Sequence, residues 1–147
     1  MNVKMYSIKG KRILIIDDDK DITSLFKSFL EYDGFIVDAF TDPIDALYSF
    51  KKNTYDLVLL DLKMPRMNGI LLYEKLHSID PDLVFRFITA DREYVEHLKN
   101  SFRDIEKFVI YKPIHLSELG KKIHFLLLVN DHSNQQQQNK NQLLTML

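Results

Sequence analysis

DLVLLDLKMPRMNG, residues 56–69, decides how this chain folds. Leu57 to Leu60 is an apolar run bounded by carboxylates, Asp56 before it and Asp61 after it, and a short loop with Pro65 and Gly69 follows. Four consecutive apolar residues, without alternation, predict a strand buried on both faces, as in a parallel sheet. Asp61 then stands at the carboxyl end of a central strand, the edge of an open α/β sheet at which ligands bind. An acid that merely ends a strand is the plainer reading, and the surrounding sequence decides between the two.

The same pattern occurs upstream. Ile13 to Ile16 is apolar and ends at Asp17, Asp18 and Asp19. Ile22, Leu25, Phe26, Phe29 and Leu30 then recur at helical spacing, with Asp19 or Asp21 placed to cap the helix and Gly34 to close it. A second strand follows at Phe35 to Phe40, and Asp42-Pro43 announces a second helix that runs through Ala46, Leu47 and Phe50. Beyond the Leu57 to Leu60 strand, a third helix starts near Gly69 and turns Leu72, Tyr73 and Leu76 inward, ending before Asp80-Pro81. Leu83 to Ile88 predicts a fourth strand, ending at Thr89-Ala90. Val95, Leu98 and Phe102 give a fourth helix its buried stripe, Phe108 to Tyr111 a fifth strand ending at Lys112-Pro113, and Leu116 to Val129 a fifth helix burying Leu119, Ile123, Leu126 and Leu127. Strands alternating with helices imply an α/β fold with helices on both faces of a parallel sheet.

Composition narrows the function. The 147 residues are 46% hydrophobic and 28% charged, enough for one domain with a real core and a short tail. Lys and Arg total 20 against 21 Asp and Glu, a formal net charge of −1, so no global field draws the chain to nucleic acid or to an anionic membrane. The absence of cysteine removes disulfides, thiolate nucleophiles and Cys zinc sites together. With no apolar leader and no run long enough to span a bilayer, the expectation is a cytoplasmic protein with no membrane insertion and no direct nucleic-acid contact. Residues 1–10 read as an N-terminal extension, 11–129 as the folded domain, and 130–147 as a Gln/Asn-rich tail expected to be disordered. The tail closes on an apolar LLTML, which could dock on a partner.

Four strand ends thus offer polar groups: Asp17 and Asp18, Asp61, Thr89, and Lys112. If the first and third strands are neighbours, as in a flavodoxin-like doubly wound sheet of order 2-1-3-4-5 with five helices, three carboxylates converge in one crevice. Such a cluster repels itself and is relieved by a divalent cation. Carboxylates and waters suit Mg²⁺, whose remaining ligands are often phosphate oxygens. Lys112 and Thr89 supply a mobile cation and a hydroxyl to hold a phosphoryl group. A carboxylate nucleophile beside a metal, with a lysine opposite, describes phosphoryl transfer to Asp.

Over roughly Arg12 to Val129 the chain resembles the receiver domain of two-component response regulators, through ILIIDDD, DLVLLDLKMPRMNG, FITA and the YKP after the last strand. The resemblance implies that Asp61 is the phosphoacceptor, that Asp17, Asp18, Asp61 and the backbone carbonyl of Lys63 bind Mg²⁺, and that Thr89 and Lys112 meet the phosphoryl, with Pro113 after a cis peptide bond. It implies a sensor histidine kinase or phosphotransfer protein as donor, and a protein that catalyses its own phosphorylation and dephosphorylation rather than a metabolic enzyme. It also implies a downstream protein target, and a homodimer or target face formed by the fourth helix, fifth strand and fifth helix. Tyr94, His97, Lys99, Tyr111 and Lys122 are that face's exposed candidates.

The chain departs from the pattern where the family usually places an aromatic switch residue, three positions before the lysine. Val109 stands there, so either Phe108 takes the role or the signal leaves another way. Asn68 and Ile114 are further departures, away from the chemistry. Lys63 and Asp91, each two residues beyond a site residue, flank the approach of a hydrolytic water.

Two other readings compete. Asp17, Asp19 and Asp21 alternate as in haloacid-dehalogenase-type phosphohydrolases, but that family carries Thr or Val at position 21, and no second acidic pair follows Lys112. A phosphorylation-independent receiver-like interaction module is the other. A calcium loop is excluded by Ile22 and Ser28, where Gly and Glu are needed. The histidines at 77, 97, 115, 124 and 132 show no metal spacing.

Overall fold

The computed structural model describes residues 8–146. Residues 1–7, most of the expected N-terminal extension, lie outside the described residues. Five strands alternate with helices: β1 (Arg12–Ile16), α1 (Lys20–Tyr32), β2 (Ile36–Phe40), α2 (Pro43–Ser49), β3 (Leu57–Asp61), α3 (Gly69–Ile79), β4 (Phe85–Thr89), α4 (Arg92–Leu98), β5 (Val109–Tyr111) and α5 (Leu116–Thr145). All strand pairs are parallel and the order is β2-β1-β3-β4-β5, as expected.

The sheet explains its own sequence. Every residue of β3 is buried, because helices cover both faces of a central strand. Ile13, Ile15, Leu57 and Leu59 pack with Phe26, Leu30, Leu119, Ile123 and Leu127 of α1 and α5. Leu14, Ile16, Val58 and Leu60 pack on the other side, with Ala46, Leu72, Leu76 and Val95 of α2, α3 and α4. Each such leucine or isoleucine withdrawn from water contributes on the order of 1.5–3 kcal/mol.

Caps set the helix starts. Asp19, rather than Asp21, caps α1, accepting from the amides of Asp21 and Ile22. Asp42 caps α2 ahead of Pro43, Asn68 caps α3 and Asp91 caps α4. Gly34, at φ 101°, turns the chain out of α1 into β2, a conformation that L side chains rarely adopt.

β4 begins at Phe85, two residues after the expected Leu83, and Phe50 lies just past the end of α2; the larger departures from the expected boundaries are at four places. Ile8 is buried in the α1/α5 core and the Gly10 amide donates to the Gly34 carbonyl, so the packed body begins before residue 11. α4 ends at Leu98, and Phe102, expected on its buried stripe, is 40% exposed in the following loop; Asn100 and Ser101 favour turns over helix. Phe108 closes a 3-10 turn, Ile105–Phe108, instead of opening β5.

The fourth concerns the tail. Residues 130–145, expected to be disordered, continue α5 as one helix to Thr145. Polar composition removes a core but not local propensity: Gln and Leu are fair helix formers and neither Gly nor Pro interrupts the stretch. The Lys11 ammonium holds Asp131 at 2.9 Å, which ties the start of the extension to the base of β1. No described helix is long and apolar enough to cross a membrane.

Candidate functional site

Chain direction in a parallel sheet brings every strand's carboxyl end to one edge. Asp17 follows β1, Asp61 ends β3, Thr89 ends β4 and Lys112 follows β5. These groups, with Asp18, come together as the sequence predicts. Asp17, Asp61 and Thr89 are buried, and Asp18 is exposed.

One carboxylate oxygen each from Asp17, Asp18 and Asp61 lies within 4.8 Å of the others. An all-oxygen donor set of this kind, open to water on the Asp18 side, fits a hard divalent cation. The Lys112 ammonium completes the cluster, 2.8 Å from Asp17 Oδ2 and 3.6 Å from Asp61 Oδ2. Asp17 Oδ1 accepts from the Asp19 amide at 2.9 Å, and Asp61 Oδ1 accepts from the Lys63 amide at 3.3 Å. Each carboxylate is therefore aimed by backbone as well as by charge.

The electrostatics follow from the crowding. Burial, then the charge of Asp17, raises the Asp61 carboxyl to about 6, against the opposing pull of Lys112. Burial works against the Lys112 charge, but the bond to Asp17 and the charges of Asp17 and Asp61 outweigh it and hold that ammonium above its ordinary range. Asp61 is thus a desolvated carboxylate whose negative charge is poorly compensated. That is what a nucleophilic carboxylate requires.

The loop after β3 is fixed by contacts that the sequence does not announce. The Gly69 amide donates to the Leu62 carbonyl at 2.8 Å. A Cβ at residue 69 would lie 2.2 Å from the Asp61 carbonyl oxygen, so only glycine lets α3 start this close to the site. Arg66 pairs with Asp42 at the start of α2. Lys63 reaches across the mouth to Asp91 at 2.8 Å and lies 5.0 Å from the Tyr94 ring centroid. Lys63 and Asp91 stand together in the sequence reading as flanking the site, and their direct bond is what the structure adds; the reach of Arg66 to Asp42 is not legible in sequence.

Thr89 Oγ1 accepts from the Asp91 amide at 3.1 Å, and the Lys112 amide donates to the Thr89 carbonyl at 2.8 Å. The aromatic side chain beside Thr89 is Tyr111, its register partner across β4 and β5. Its ring lies 3.9 Å from the Arg92 guanidinium of α4. Phe108 instead stacks on Phe85, at the opposite end of the sheet, and Val109 pairs with Phe87. Of the proposed face, His97 and Lys122 are exposed, while Tyr94, Lys99 and Tyr111 are half-buried. The Lys112–Pro113 peptide is cis.

Asp19 spends its side chain on the α1 cap, which leaves no second aspartate positioned as a dehalogenase-type acid/base. His124 pairs with Asp33 and packs its ring edge-on to Phe35, an ordinary surface role.

Comparison with known proteins gives a concordant result. The family model for the response regulator receiver domain matches residues 13–124. The response regulator receiver protein CpdR of Brucella abortus is 33% identical over 118 residues, 80% of this chain and 98% of that protein. Several other curated relatives are longer regulators, of which the chain spans 17% to 51%. Among solved structures, a CheY-like response regulator receiver domain protein from Methanospirillum hungatei superposes with a TM-score of 0.74 at 30% identity, over 85% of this chain and 99% of that one. The response regulator TrrA of Thermotoga maritima, solved in complex with Mg²⁺-BeF, has a TM-score of 0.65 at 29% identity, over 79% and 98% of the two chains.

Proposed function

Because this chain belongs to the response regulator receiver family, we propose that it works as a single-domain response regulator in two-component signalling, with Asp61 as its phosphoacceptor. The observation that carries the reading is the placement of Asp61: buried at the end of β3, within 4.8 Å of two further carboxylates and 3.6 Å from Lys112. The receiver unit of residues 11–129 contains all of these groups.

Asp17, Asp18 and Asp61 would hold Mg²⁺, with the Lys63 backbone carbonyl as a further ligand. The ion supplies positive charge that offsets the clustered carboxylates and the incoming phosphoryl oxygens. A carboxylate oxygen of Asp61 attacks the phosphorus of a phosphohistidine on a sensor histidine kinase or phosphotransfer protein. The new O–P bond forms as the P–N bond breaks, and the imidazole leaves, taking up a proton. Lys112, beside Asp17 and Asp61, stabilises the charge on the transferring group, and the Thr89 hydroxyl donates to a phosphoryl oxygen.

Phosphorylation then replaces a poorly compensated carboxylate by a bulkier dianion. Thr89 moves toward it, and the Asp91 amide bonded to that hydroxyl moves with the start of α4. The output is a changed contact surface on α4, β5 and α5 for a cytoplasmic protein target or a second copy. Incubation with acetyl phosphate and Mg²⁺ tests the reading: one phosphoryl adduct, abolished in Asp61→Asn, is the expected result, and no adduct on the folded protein overturns it.

A further inference from the structure

We propose that a basic pocket between β4, β5 and α5 docks an acidic segment of a partner protein. One apolar side chain of that segment sits among Val109, Phe125 and Leu126, and its carboxylates meet Arg86, Lys107 and Lys122. The proposal gives the chemistry of the target for the output surface and rests on that reading for its place in signalling, but docking itself does not need Asp61.

Arg86 interrupts the core side of β4. Side chains alternate along a strand, so Phe85 and Phe87 pack toward α2, α3 and α4 while Arg86 shares the α5 side with Ile88. An apolar residue there would extend the core. Instead the position holds a half-buried guanidinium, which burial draws below its ordinary range with no opposing carboxylate. Its Nη1 donates to the Phe85 carbonyl at 2.6 Å, and the group lies 5.3 Å from the Phe108 ring centroid. A cation withdrawn from water without an opposite charge is costly. An anion from outside the chain offsets that cost.

The surroundings select the same charge. Arg86 lines a pocket of about 170 Å³ with Lys107, Lys122, Val109, Phe125 and Leu126, and no Asp or Glu lines it. Lys107, from the turn Ile105–Phe108, pairs with Asp104 at 3.6 Å, but both side chains are exposed and such a pair is worth little. Lys122 is exposed on α5, with no ion pair among the described residues. Three cations from three segments thus surround one apolar floor, in which Phe125 is 68% exposed.

Size favours a protein segment over a small molecule. Sites for drug-sized ligands hold roughly 300–1,000 Å³, whereas this one takes a single apolar side chain. The chain that carries it crosses the rim, where flanking carboxylates reach the lysines. A nucleic acid would meet the cations but leave Phe125 and Leu126 uncovered, and a net charge of −1 gives it no wider field.

The experiment selects peptides from a random display library on the unphosphorylated full chain, then measures an enriched peptide, fluorescein-labelled, by fluorescence anisotropy. Enriched sequences are expected to carry acidic residues on both sides of a Leu or an aromatic residue, with binding that weakens as salt is added. Arg86→Gln, Lys122→Glu and Phe125→Ser are each expected to weaken binding about tenfold. Lys75→Glu, the same charge change on α3 across the sheet, is expected to leave it unchanged. Urea midpoints check folding, and because Lys122 and Phe125 are exposed, their variants decide the matter even if Arg86→Gln is unstable. No enrichment, enriched peptides without acidic residues, or binding that survives Lys122→Glu overturns the proposal. So does a labelled single-stranded DNA that binds more tightly than the enriched peptide. With no phosphoryl donor present, failure here leaves the Asp61 reading intact, and a missing Asp61 adduct leaves the docking result intact.

Discussion

Lys63 and Asp91 close over the mouth of the acidic site, Nζ to Oδ2 at 2.8 Å. They come from the loops after β3 and β4, and each stands two residues beyond a group that would touch the phosphoryl. The bond holds the Lys63 ammonium above and the Asp91 carboxyl below their ordinary ranges. Both ends are largely solvated, so the pair adds little to stability, and its place between the loops that follow β3 and β4 predicts an effect on the approach of hydrolytic water. Lys63→Ala and Asp91→Ala are each expected to change the rate of acyl-phosphate hydrolysis several-fold. The double variant is expected to behave like either single, because the two side chains act as one unit. Unchanged loss of phosphoryl in both single variants contradicts this role.

Gly69 carries a steric prediction. With a Cβ placed 2.2 Å from the Asp61 carbonyl oxygen, Gly69→Ala must push α3 away from the end of β3. We expect a loss of about 3 kcal/mol, the cost of overpacking a site that cannot relax, measured as a lower midpoint in urea. Any folded fraction should also accept phosphoryl more slowly, since the moved backbone is that of Asp61. A midpoint equal to wild type would show that the loop yields freely.

The raised Asp61 carboxyl predicts a pH signature. Burial penalises the ionised form, so the cost is absent below about pH 4, where the carboxyl is protonated folded or unfolded. It grows as pH rises and is complete above about 6. In the presence of chelator, Asp61→Asn should therefore be more stable than wild type at pH 7, read as a higher urea midpoint. The advantage should vanish near pH 4. A gain that is equal at pH 4 and pH 7 would assign it to some other cause.

Tyr111 predicts the path of the signal. It is the aromatic paired with Thr89 in the sheet and lies under Arg92 of α4, whereas Phe108 belongs to a stack with Phe85 at the far end of the strands. Phosphorylation should shift the ring resonances of Tyr111 strongly and those of Phe108 little. The reverse pattern would return the switch role to Phe108.

Much of this was legible in the sequence for a physical reason. Ile13 to Ile16 and Leu57 to Leu60 are uninterrupted apolar runs because both faces of central strands are covered, and the acid that ends each run marks the sheet edge where backbone amides and solvent are available. Strand direction brings Asp17, Asp61, Thr89 and Lys112 to one edge, and the strand order, which places β1 beside β3, brings their side chains together. What resisted reading depends on distance in space rather than on local pattern. The reach of Lys63 to Asp91, of Arg66 to Asp42, and the contact that forbids a side chain at Gly69 all join separate loops. Phe102 looked like a helix residue because its spacing from Leu98 is right; the turn at Asn100 and Ser101 overrides it. The helix beyond Val129 was hidden by polar composition, which argues against a core but not against a helix.

Intact mass spectrometry decides whether Asp61 accepts phosphoryl in the site it forms with Asp17, Asp18 and Lys112. After incubation with acetyl phosphate and Mg²⁺, the wild type should gain the mass of one phosphoryl group, and neither Asp61→Asn nor wild type with chelator should gain it. A folded wild type that gains nothing, or an adduct that persists in Asp61→Asn, would contradict the account.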